Sequence, residues 1–261
     1  MLFSKLIDLC ALYDLHKKRS KEYQFSGGAE MDFEDINEFY KVDQSIDIQF
    51  YNEVSDLQKY EIAKFEYQSL IESGNPFNDL VSGEAYLNKN EDAPNVIFVH
   101  GWRMDSNERV KKIFHEKMID LDWNLYYFTL PYHFAREPEI DVLTSVFYAN
   151  RLSYSIWNTN PGKYIKKDLS VHGVTYEELV ESWEITEPSQ ATPIMNQENI
   201  LLISAKYDQY VHMKDTSYLW EAWNKPMRYI YNCGHAGIVL KRKQIALDTI
   251  GFIRKRIFEN E

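Results

Sequence analysis

The chain has 261 residues, 44% hydrophobic and 15% aromatic, enough for one large α/β core and too few for two full domains. A formal net charge of −11 repels phosphate backbones and anionic lipid, so the expected partner is a small molecule, with no nucleic acid and no membrane. Only Cys10 and Cys233 are present, which permits at most one disulfide, fits the thiol usage of a reducing cytoplasm and predicts two buried thiols.

The N-terminal stretch MLFSKLIDLCALYDLHKKRSKEY has apolar residues interrupted by Lys5, Asp8 and Asp14, with the cations following them. That order predicts an amphipathic helix rather than a signal peptide or a membrane span. FSGGAEMDFEDINEFYKVD continues it with a Gly-Gly turn and acidic and aromatic residues, so residues 1–45 read as a helical arm and residues 46–261 as the main domain. IDIQFYNEV and YEIAKFEYQSLI alternate apolar and polar residues as half-exposed strands do. SGNPFND is a turn, and LVSGEAYLNKNEDAP a further strand and loop.

From there the apolar runs shorten and lose their alternation. VIFV, NLYYFTL, VLTSVFY, ILLIS and RYIYN have the β-branched and aromatic composition of strands buried on both faces. Between them SNERVKKIFHEKMI places Val110, Ile113 and Phe114 on one helical face, SYLWEAW has helical spacing, and RKQIALDTIGFIRKRI aligns Ala246, Ile250, Ile253 and Ile257. Strands alternating with helices predict an α/β fold with a mostly parallel mixed sheet and helices on both faces.

In such a sheet functional groups gather beyond the carboxyl ends of the strands. VIFV is followed by His100, Gly101, Trp102 and Arg103; NLYYFTL by Tyr132, His133 and Arg136; ILLIS by Asp208; RYIYN by Cys233 and His235. An acid after one strand and a histidine after the next can pair, the acid orienting the imidazole while the ring moves a proton to or from a nucleophile. Gly101 would let the chain turn so that the Trp102 amide faces a developing oxyanion. His100, Tyr132, His133 and Arg136 are candidates to line a substrate pocket. The alternative is structural: His100 bonds inside its own loop, Pro131 sets a turn and Arg136 pairs with a carboxylate.

Across residues 80–258 the pieces VIFVHGWR, LPYHFAR, ILLISAKYD and NCGHAGI resemble the α/β-hydrolase superfamily, in a bacterial branch of it. The resemblance implies a serine ester or acyl hydrolase lineage acting on a small-molecule ester, without a cofactor. In it Asp208 would be the triad acid, His235 the base, and Gly101 with Trp102 the oxyanion hole. It also implies a nucleophilic serine on a G-x-S-x-G elbow, and no serine after Trp102 has glycine two positions before and after it. Ser145 sits in an apolar run, Ser204 closes a strand, and Cys233 reads as a structural thiol. The pattern breaks near Ile140 and Asp141, where the elbow strand and its helix belong.

Losing a central strand would leave two unpaired backbone edges. VLTSVFY moving into the gap, a domain-exchanged homodimer, or an internally shortened form of a longer protein would each account for it. A non-catalytic hydrolase-like binding protein is the alternative to an enzyme. His115 lacks a second histidine at zinc spacing, His16, His172 and His212 are scattered, and no metal site is expected. Gly162-Lys163 lacks the rest of a phosphate loop.

Overall fold

The structure, a computed structural model, describes residues 2–17, 41–53, 59–101, 104, 106–136, 151–160, 162–184 and 187–258. The predicted strand VLTSVFY, the Ile140 to Asp141 junction, most of the arm beyond Lys17, and Trp102 lie outside the described residues. The chain divides into two packing units.

One unit comprises Asp43–Val146 and Ile245–Ile250. Its alternating segments form β1 (Gln49–Glu53), β2 (Tyr60–Gln68) and β3 (Leu80–Asn88), an antiparallel meander. β4 (Asn95–Val99) and β5 (Asn124–Phe128) pair in parallel, and the sheet runs β1-β2-β3-β5-β4. Helix α2 (Glu108–Ile119) connects β4 to β5, as the spacing of Val110, Ile113 and Phe114 predicts. Phe114 of α2 stacks on Phe98 of β4, whose ring stacks on Tyr127 of β5 at 5.0 Å. Leu125 and Tyr127 are fully buried.

At Gly83 the sheet has no room for a side chain, since a Cβ there would collide with the Phe65 ring and the Tyr127 carbonyl. Tyr60 ties the end of β2 to the end of α2 by donating to the carbonyls of Ile119 and Trp123 at 3.1 Å each.

The expectation that VIFV is covered on both faces needs correcting. Ile97 and Val99 are 68% and 58% exposed, while Val96 and Phe98, on the other face of β4, are partly buried. Among the described pairings β1 with β2, β2 with β3 and β3 with β5 are antiparallel, so the sheet is mixed with its parallel part at one side.

The other unit comprises Met1–Val42, Phe147–Gln244 and Gly251–Glu261. It contains α1 (Leu2–Lys17) and three short helices for which the sequence reading assigned no elements: α3 (Leu152–Asn158), α4 (Lys163–Val171) and α5 (Tyr176–Trp183). Ile156, Leu169, Val174 and Leu179 form their common core, with Leu152, Trp157, Ile165 and Trp183 packed around it. Each such side chain contributes roughly 1.5–3 kcal/mol when fully buried. α5 starts at a capping box: Thr175 accepts from the Glu178 amide and Glu178 accepts from the Thr175 amide.

β6 (Leu201–Ala205) and β7 (Met227–Tyr231) pair in parallel as a separate two-stranded sheet. α6 (Met213–Ala222) packs against β6, and Arg228 of β7 donates to Ser204 of β6 and to Thr216 and Ser217 of α6. The C-terminal helix α7 (Arg242–Phe258) buries Ala246 and Ile250, while Ile257 is exposed and drops out of the predicted stripe. Neither cysteine is in a disulfide. Cys233 is buried as expected, but Cys10 is exposed, a correction that follows from α1 presenting its Leu6, Leu9 and Tyr13 to solvent as well.

Candidate functional site

β6 and β7 carry the acid and the imidazole to one end of their sheet. Their ladder continues past the strands, with Lys206 donating its amide to Tyr231 at 2.8 Å and Tyr207 to Cys233 at 2.9 Å. The two segments are therefore still in register where Asp208 and His235 follow. Asp208 Oδ2 lies 2.9 Å from His235 Nδ1. Asp208 Oδ1 accepts the amides of Tyr210 and Val211 at 2.8 and 3.0 Å, which fixes the carboxylate and directs its other oxygen at the ring.

With Nδ1 as the donor to the carboxylate, Nε2 has no hydrogen-bond partner among the described residues, and the His235 side chain is 51% exposed. An imidazole held by one nitrogen and open at the other is able to exchange a proton with a bound molecule. Burial pushes the ring toward its neutral form. The Asp208 hydrogen bond and the charges of Asp208 and Asp8 outweigh that and leave its pKa above the ordinary histidine value. The Tyr210 ring lies tilted against the imidazole, centroids 4.6 Å apart, and burial, with the charges of Asp8 and Asp208, raises its hydroxyl to about 12. It is a neutral donor at physiological pH. Burial likewise raises the Cys233 thiol, which makes a thiolate nucleophile unfavourable there.

Asp8 belongs to this cluster and was not foreseen as a site residue. Its only sequence signal is a carboxylate interrupting the apolar run of the first helix. It is 2% exposed and accepts the backbone amides of His235 and Ala236 at 3.1 and 2.9 Å.

The other foreseen residues lie in the five-stranded unit. His100 is buried and both ring nitrogens are used: Nδ1 donates to the Gly101 carbonyl at 2.9 Å and Nε2 accepts the Leu130 amide at 3.1 Å. It thus joins the ends of β4 and β5. Burial and the neighbouring His133 hold its pKa below the ordinary value, so it stays neutral. His133 packs 4.8 Å from His100 and donates from Nδ1 to Pro131 at 2.8 Å.

Among the described residues Arg136 has no carboxylate hydrogen-bonded to it. It donates instead to the carbonyls of Asn78, in the helical turn Pro76–Asp79, and of Thr129, just past β5, buried acceptors that need a partner. Asn78 also accepts the Tyr132 amide on its side-chain oxygen at 2.9 Å. That bond steadies a turn in which Tyr132 and Phe134 both have left-handed backbones, φ 57° and 53°. Gly101 does not have a positive φ, and a Cβ there would meet only ordinary contact.

The uncharacterized protein YdjC of Bacillus subtilis (strain 168) is 63% identical to this chain over 115 residues, which are 44% of this chain and 99% of YdjC. The chain belongs to the YdjC family. A second Bacillus subtilis protein, the uncharacterized YdjB, is 50% identical over 48 residues; this YdjC-family chain spans 43% of its length. No family model matches. Among solved structures, acetyl xylan esterase 1 from Thermoanaerobacterium aligns over 80% of this chain and 89% of its own, with 9% identity and a TM-score of 0.43. A Pyrococcus furiosus esterase aligns over 75% of this chain and 93% of its own, with 12% identity and a TM-score of 0.45.

Proposed function

We propose that the chain carries the acid and histidine of a serine-hydrolase centre whose lineage hydrolyses carboxylic esters or related acyl bonds. The observation that supports this reading is the Asp208 to His235 hydrogen bond of 2.9 Å beyond the carboxyl ends of two parallel strands, with Nε2 unbonded among the described residues. In that chemistry His235 Nε2 takes the proton of a hydroxyl as its oxygen bonds to the acyl carbon. It returns the proton to the departing oxygen, and water repeats the sequence on the acyl intermediate. Asp208 keeps the proton on Nδ1 and stabilises the imidazolium.

One observation favours a second reading, a hydrolase-like binding protein: no serine among the described residues is hydrogen-bonded to His235. Ser153, Ser155 and Ser204 are buried, and Ser204 accepts from Arg228 instead. A fluorophosphonate probe separates the two. The hydrolase reading expects covalent labelling of one serine, abolished by His235→Gln. A folded chain that takes up no probe as the pH is raised to about 9, well above the ordinary histidine value of about 6.5, overturns it in favour of the binding protein.

A further inference from the structure

We propose that Asp8 of α1 is a positioning residue for His235, so that the first helix of the chain is a working part of the proton-transfer centre. This rests on the reading of Asp208 and His235 as that centre. Three observations carry it. Among the α1 side chains described, Asp8 alone is buried, while Leu6, Leu9, Cys10 and Tyr13 are exposed.

The carboxylate lands on the backbone of the imidazole itself, one oxygen taking the His235 amide and the other the Ala236 amide. The short 3₁₀ turn Ala236–Lys241 that begins there has no side-chain cap of its own. Asp8 supplies both acceptors from a residue 227 positions away. Finally, the Tyr210 hydroxyl donates to the Asp8 carbonyl at 3.3 Å while its ring lies tilted against His235, centroids 4.6 Å apart, so α1 braces the imidazole from backbone and ring side together.

A buried carboxylate is costly unless its acceptors are filled. For mere attachment of a helix, an apolar contact would serve with no such cost. What a carboxylate adds is directional: it holds two adjacent amides, and so the backbone conformation that points Nδ1 at Asp208. Its charge also joins that of Asp208 in favouring the protonated ring.

The test uses the full chain with Asp8→Asn, which keeps the shape, and Asp8→Ala. Three quantities are read: the His235 titration by imidazole ¹⁵N NMR, solvent exchange of the Nδ1 proton, and the urea unfolding midpoint. Positioning predicts a lower His235 titration midpoint and Nδ1 exchange faster by about tenfold, the ratio of one net hydrogen bond lost, in the folded variants. A variant whose urea midpoint falls while the His235 titration and exchange stay as in the unaltered chain overturns the proposal and leaves Asp8 as an anchor for α1. If Asp8→Ala does not fold, Asp8→Asn decides alone. Failure of the unaltered chain to take up fluorophosphonate counts against the hydrolase reading only, since the imidazole measurements need no activity.

Discussion

Replacing Arg136 by methionine separates a structural from a substrate-binding role at the turn after β5. Arg136 is 3% exposed, and its guanidinium donates from Nε and Nη2 to the Asn78 carbonyl at 2.8 and 2.5 Å and from Nη1 to the Thr129 carbonyl at 2.9 Å. Methionine has similar reach and no donor, so two buried carbonyls lose these partners. An unsatisfied buried polar group costs about 1–3 kcal/mol, which puts the gross loss at roughly 2–6 kcal/mol. The variant no longer has to desolvate a cation, and that offsets part of the loss. Burial already holds the Arg136 pKa below its ordinary value. A net loss of about 2–4 kcal/mol is a large share of the ~5–15 kcal/mol that stabilises a typical protein. Urea denaturation followed by circular dichroism reads it as a lower midpoint, and Arg136→Lys should fall between, since a single ammonium cannot span both carbonyls in the same fork. An unchanged midpoint for Arg136→Met, together with weaker binding of a ligand bearing an anionic group, would refute the argument and return Arg136 to the substrate pocket.

Three further outcomes are expected. The His235 pKa is raised in the fold, so its contribution to stability is fully present below the unfolded-state value of about 6.5 and is lost as pH rises through the folded value. The urea midpoint should therefore decline across that window in the unaltered chain, and a profile no different in Asp208→Asn would refute the pairing. Gly83→Ala forces a Cβ against the Phe65 ring and the Tyr127 carbonyl, and overpacking of this kind costs typically about 1–3 kcal/mol; thermal melting should show it, and an unaltered melting temperature would contradict the close approach. Ile97→Lys replaces an exposed side chain on β4 and should change stability by less than about 0.5 kcal/mol. A drop above that in urea titration would mean that the β4 face is covered in solution.

Much of the fold is legible residue by residue. The period-two patterns of β1 to β3, the apolar runs of β4 to β7 and the helical spacing of α2 are local properties of the side chains, and the strands form where those patterns predict them. The positions of Asp208 and His235 just past two such runs follow from the same local reading, because strand ends are where side chains leave the sheet. Burial on a particular face is not local. Ile97 and Val99 have the composition of covered residues, yet they lie on an exposed face of β4.

The same distinction governs the polar groups. Nothing near Arg136 in the chain announces that its partners are carbonyls 58 and 7 residues back, nor that His100 is consumed by the Leu130 amide. Asp8 is the extreme case, an aspartate inside an apolar run whose two acceptors are satisfied at the other end of the chain. Sequence by itself determined the strands β2 to β7, the helices α2, α6 and α7 and which residues stand at the strand ends, since side-chain periodicity acts over a few residues, while the short helices α3 to α5 were not legible in it. Tertiary structure alone decided which polar atoms are left open for chemistry, because a donor and acceptor far apart in sequence compete for one another only once the backbone has brought them within about 3 Å.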